Sequence, residues 1–292
     1  DALKTNTTAD NNVAVGYQAG YLNTTGTENV AIGANALDAN TTGSSNVAVG
    51  QGALDANTTA DSNTAVGHDS MKVNTTGAEN SALGKGALNA NTTGSYNTAL
   101  GRSALLLNTS TSYNTAVGYQ ALSGANTNNY HVAVGYQTLQ SNTSGGQNVA
   151  LGGQALKVNT TASNNIGVGF NALTLTTTGG DNVSVGNYAL AANTTGTYNI
   201  AVGRSALNAN TTASSNTAVG YQSLFANTTG SYLTAVGESA LYGNTTGIRS
   251  TAVGRSALAN NTEGNYNSAL GYAALNATTT GSNNSAFGYL AL

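Results

Sequence analysis

The chain has 292 residues, of which 7% are charged, with a formal net charge of −3, 37 Gly and no Pro, Cys or Trp. Its eight Lys and Arg never cluster, which excludes a basic footprint for nucleic acid or an anionic membrane. The absence of Cys excludes disulfides, thiol catalysis and Cys-ligated metal, and no apolar run approaches the ~20 residues of a membrane span.

Taken in chain order, the first recognisable element is Asn12-Val13-Ala14-Val15-Gly16, and it returns as Glu28-Asn29-Val30-Ala31-Ile32-Gly33. Glycine then recurs at Gly50, Gly67, Gly84, Gly101, Gly118 and onward to Gly288, with every interval 17 residues. Such a repeat is too short for a helix pair, and Gly, Thr pairs and β-branched residues in every unit oppose a stable helix. A fixed short period of this kind predicts an all-β fold, a parallel β-solenoid of about seventeen 17-residue coils in one continuous domain over residues 1–292. Two short strands and a turn are expected in each coil, the glycine rank being structural.

Positions can be numbered from that glycine. Position −1 is Val, Leu or Ile in sixteen coils and Phe287 in the last, and position +4 is Leu except at Gly20 and Met71. Both ranks are expected in the core. Position −2 is Ala in 15 of 17 coils, among them Ala48, Ala65, Ala99, Ala116, Ala218 and Ala235. Strand faces alternate, so this rank should point away from the −1 and −3 core. An outward rank facing water would be mixed and polar; its restriction to Ala predicts a self-association face packed against a second copy. A narrow coil with both faces internal is the alternative.

Asn occupies position −4 in 14 coils and position −10 in 14 coils. Stacked amides can donate to one neighbouring coil and accept from the other, so a ladder is expected. The −10 rank opens Asn-Thr-Thr or Asn-Thr-Ser at Asn23, Asn40, Asn57, Asn74, Asn91, Asn193 and Asn210, among others. These are also glycosylation sequons, usable only if the side chains point outward. Tyr concentrates at +1 (Tyr17, Tyr119, Tyr136, Tyr221) and at −5 (Tyr96, Tyr113, Tyr130, Tyr198), ranks that also accept charge and are therefore expected to be exposed.

Enzyme chemistry is absent from the pattern. The two histidines, His68 and His131, lie in different ranks nearly four coils apart, and the scattered Asp residues form no calcium repeat. No catalytic, cofactor-binding or metal residue is assigned, and the chain is expected not to be an enzyme.

Asn12-Val-Ala-Val-Gly16, Asn46-Val-Ala-Val-Gly50 and Asn148-Val-Ala-Leu-Gly152 resemble the head repeat of YadA-like trimeric autotransporter adhesins and related phage tail-fibre solenoids. The resemblance runs through the whole chain. It implies a left-handed β-roll, three parallel chains and attachment to a surface. Family repeats are commonly shorter than these, and no stalk or membrane anchor accompanies the coils. The expected function is thus an extracellular or virion fibre segment, homo-oligomeric as a trimer or filament, touching a host surface or glycan. It would use no cofactor and insert no part of itself in a membrane. A filament built head to tail is the alternative, since neither end changes composition and an uncapped solenoid exposes strand edges. Ice binding by Asn and the second Thr of Asn-Thr-Thr, projecting to one side, is a third reading.

Overall fold

The computed structural model describes residues 1–292 as two compact units, Asp1–Gln147 and Asn148–Leu292. Each is a parallel β-solenoid that advances one coil per 17 residues. The first carries β1 (Val13–Val15), β2 (Val30–Ile32), β3 (Val47–Val49), β4 (Thr64–Val66), β5 (Ser81–Leu83), β6 (Thr98–Leu100), β7 (Thr115–Val117) and β8 (Val132–Val134). The second carries β9 (Val149–Leu151), β10 (Ile166–Val168), β11 (Val183–Val185), β12 (Ile200–Val202), β13 (Thr217–Val219), β14 (Thr234–Val236), β15 (Thr251–Val253), β16 (Ser268–Leu270) and β17 (Ser285–Phe287). Within each unit successive strands pair in parallel with like residues opposite, for example Ala48 with Ala65 and Ala218 with Ala235. No helix is long and apolar enough to cross a membrane.

The strand is three residues long because the glycine ends it. Gly118 adopts φ 129°, and a Cβ there would lie 2.4 Å from the carbonyl oxygen of Gly135 in the next coil. Only glycine meets both conditions, and the same contact recurs from coil to coil.

Past the glycine the coil departs from the expected second strand. Positions +2 and +4 lie in the left-handed region, with Leu37 at φ 54°, Leu54 at 51° and Ser103 at 59°. Alternate left-handed residues cannot form an extended segment, so each coil has one strand and a series of turns. Backbone pairing between coils nevertheless continues through the turns. Leu37 N donates to Ala53 O at 2.9 Å, and Leu207 N to Ser223 O at 3.0 Å.

The packing corrects two expectations about the strand. The −2 alanines, including Ala48, Ala65, Ala99, Ala116, Ala218 and Ala235, are buried and cannot serve as a self-association face. Position −1, expected in the core, faces outward: Val15 is 58% exposed, Leu83 49% and Phe287 69%. The reason is width. The loop interior already holds the +4 Leu, the +3 Ala and two Asn ranks. At Gly167, which takes the Ala position in β10, an added Cβ would meet Leu156 Cγ at 3.4 Å and Ala172 O at 3.5 Å. A methyl group fits there, and anything larger and branched does not. Ser184 is accepted at the same position of β11 because its hydroxyl donates to Ala189 O at 2.8 Å.

Candidate functional site: the outward strand face

Both Asn ranks point inward. In the −10 rank, Asn40 Nδ2 donates to Asn23 Oδ1 at 2.8 Å, Asn57 to Asn40 at 2.9 Å, Asn74 to Asn57 at 3.1 Å and Asn91 to Asn74 at 2.8 Å. Each amide also donates to the carbonyl three residues on, as Asn91 does to Gly94 O at 2.9 Å. The second unit repeats this, with Asn210 donating to Asn193 at 2.9 Å. Asn23, Asn40, Asn57, Asn74, Asn91, Asn193 and Asn210 are buried. The amide nitrogen a glycan would need is a ladder rung in the folded chain, so the ladder reading holds and the glycosylation reading fails for these residues.

The −4 rank works differently. Asn46 Oδ1 accepts the backbone N–H of Asn63 at 3.0 Å, while its Nδ2 donates to Ala60 O at 2.8 Å. Each such amide extends the strand pairing by one residue and closes the turn. The Asn-Thr-Thr surface proposed for ice is not formed. Asn points inward, and the first Thr hydroxyl is bound to the next coil, as Thr75 is to Thr92 O at 3.0 Å.

Among the outward ranks, the strand positions −3 and −1 are flanked by the exposed −5 and +1 ranks. Positions −3 and −1 make the floor of this face: Val13, Ile32, Leu83, Leu100, Ile166, Ile200 and Leu270 are all exposed. Between β4 and β6 the small Ser81 leaves a shallow apolar depression of about 130 Å³ against Thr64, Leu83, Thr98 and Leu100.

Tyrosines border this floor. Tyr96, Tyr113 and Tyr130 stack in consecutive coils with centroids 5.0 and 5.3 Å apart and interplanar angles of 4° and 10°. Tyr119 and Tyr136 stack at 5.6 Å on the other border. In the second unit Arg249 fills a rung of the −5 rank, 5.4 Å from the Tyr232 ring and 5.8 Å from that of Tyr266, and donates to the Tyr266 hydroxyl at 2.8 Å. The expected exposure of these ranks is found together with ring stacking. Because neighbouring rings cover one another's faces, the ladder presents edges and hydroxyls outward.

Apart from the buried His131, titratable groups lie towards the periphery. Burial pushes the Asp38 carboxyl up, and the neighbouring Asp55 adds to it. Burial also raises Asp55, with Lys72 opposing and Asp69 reinforcing the rise. The Glu79 carboxylate holds the Tyr96 phenol above its ordinary value. Nowhere do three or more His, Asp or Glu side chains converge. No family model, curated protein or solved structure matches the chain.

Proposed function

We propose that this chain is a structural and adhesive fibre segment that associates with further copies of itself through the outward strand face. The observation that carries the reading is the inverted strand: small alanines inside, and Val, Leu, Ile and Phe outside. A floor with Val, Leu, Ile or Phe at −1 in every coil and Val, Ile, Thr or Ser at −3, bordered by tyrosines, is the composition of an interface. With coils about 4.8 Å apart and the −3 and −1 residues about 6.7 Å apart, the eight three-residue strands of the first unit make a floor of roughly 250 Å², to which the flanking tyrosine ranks add. Self-association thus rests on −3 and −1 in place of the alanines.

Three parallel chains, extracellular or virion placement and attachment to a host surface or glycan rest on the resemblance of the coils to YadA-like heads. The tyrosine edges and hydroxyls are the groups for that contact. Sedimentation velocity at micromolar concentration tests the assembly. The native chain is expected to sediment as an oligomer and the Leu83→Lys/Leu100→Lys variant as a folded monomer. A native chain that is monomeric, or a variant that assembles normally, would refute this reading.

A further inference from the structure

The ladder of Tyr96, Tyr113 and Tyr130 carries chemistry that self-association does not use. All three rings are exposed, and they stack nearly parallel in consecutive coils with centroids 5.0 and 5.3 Å apart. The side chains leave equivalent positions of the repeat, so the carbon beside one hydroxyl faces its counterpart in the next coil. The rest of the chain competes poorly for an oxidant. It has no Cys and no Trp, and its one methionine, Met71, is fully buried. The Tyr96 hydroxyl is hydrogen-bonded to the Glu79 carboxylate one coil before it, a base placed to take the phenol proton as an electron leaves.

We propose that the Tyr96–Tyr113–Tyr130 ladder is an oxidative cross-linking site, at which a peroxide-driven one-electron oxidant joins successive coils through dityrosine. Two neighbouring phenols each give up one electron and the O–H proton, leaving two phenoxyl radicals. The ring carbons beside the two oxygens then couple to form one C–C bond. The hydrogen on each of those carbons leaves as a proton and a proton returns to each oxygen, which restores both phenols. The chain loses two hydrogens in all, and one hydrogen peroxide takes them up to become two waters. The new bond ties residues 17 apart in sequence, so one coil stays joined to the next even when the solenoid opens.

The −5 rank of the second unit contains a built-in comparison. Tyr198, Tyr232 and Tyr266 are separated by Ser215 and Arg249, which puts each tyrosine two coils, about 9.6 Å, from the next. Tyr198 is 64% exposed against 49% for Tyr113. Exposure alone would favour coupling in the second unit, whereas stacking favours the first.

Treating the full chain at nanomolar concentration with hydrogen peroxide and a haem peroxidase, followed by trypsin and mass spectrometry, tests this. Cleavage after Lys85, Arg102 and Lys157 puts Tyr96 and Tyr113 in separate peptides. Native chains that remain single under denaturing conditions should yield these two peptides joined through Tyr96 and Tyr113, lighter by two hydrogens. Tyr113→Phe keeps the stacked ring but removes the phenol, and the joined peptide should fall to background. Absence of the Tyr96–Tyr113 bridge from single native chains would overturn the proposal. So would an equal yield of joined peptide in Tyr113→Phe, or equal bridging of Tyr198 to Tyr232 within single chains.

Discussion

Replacing Asn91 by Ala tests whether the inward amide ladder holds the coils together. Asn91 is fully buried and takes part in three side-chain hydrogen bonds: donation to Asn74 Oδ1 at 2.8 Å, donation to Gly94 O at 2.9 Å and acceptance from Asn108 Nδ2 at 3.0 Å. Truncation leaves each partner short of one bond in a site closed to bulk water. A buried group left unsatisfied costs about 1–3 kcal/mol, so the loss should be about 3 kcal/mol or more. Asn91→Thr provides an internal scale. Thr176 occupies this rank in the second unit, and its hydroxyl accepts from Asn193 Nδ2 at 3.4 Å. One rung is thereby kept, and Asn91→Thr should cost clearly less than Asn91→Ala. Repeat arrays open locally, so hydrogen exchange of the coils around Leu88 and Leu105 is a better assay than a single global midpoint. A loss below about 1 kcal/mol for Asn91→Ala would mean that water replaces the amide and that the ladder contributes little.

Gly118→Ala combines an unfavourable φ with a Cβ 2.4 Å from Gly135 O, and should destabilise by about 3 kcal/mol or more in a chemical-denaturation series. Ala116→Gln forces an amide into a methyl-sized slot and should unfold its coil, seen as lost amide protection in β7. If Ala116→Gln folds normally, the inward placement of this rank is wrong. Asp38 and Asp55 hold protons more tightly in the folded chain, so their unfavourable contribution is greatest above the raised folded values and fades as pH falls towards about 4. Asp38→Asn should therefore raise the urea midpoint at pH 7, with the gap closing near pH 4. A gap that is absent at pH 7 or independent of pH would contradict the assignment.

Much of this fold is legible in the sequence because its causes are local and repeated. The Gly16-to-Gly288 rank marks a backbone that tolerates no side chain, and the paired Asn ranks mark stacked amides. The direction of the strand is not legible. Alternation says only that Ala116 and Val117 point to opposite sides, and the usual rule that larger apolar residues are inside gives the wrong one. Interior width decides it, and width depends on how Leu122 and the Asn ranks fold back across the coil. The left-handed +4 leucines are hidden for a related reason. Leu disfavours positive φ, so nothing local announces the turn that bonds each Leu N–H to the next coil. His131 is visible as a break in a rank, whereas the ladder bond that Asn126 takes in place of Ala125, accepting from Asn142 Nδ2 at 3.0 Å, shows only in three dimensions.

Single cysteines at neighbouring positions of β6 test the central claim most directly, since the chain has no other thiol to obscure them. Ala99 is buried, whereas Leu100 is 41% exposed on the proposed association face. Maleimide labelling under native conditions should leave Ala99→Cys unreacted at every protein concentration. Leu100→Cys should react readily in dilute solution and become shielded as copies associate. A thiol at 99 that labels readily would contradict the inverted strand. A thiol at 100 equally reactive at nanomolar and high micromolar protein would contradict association through this face.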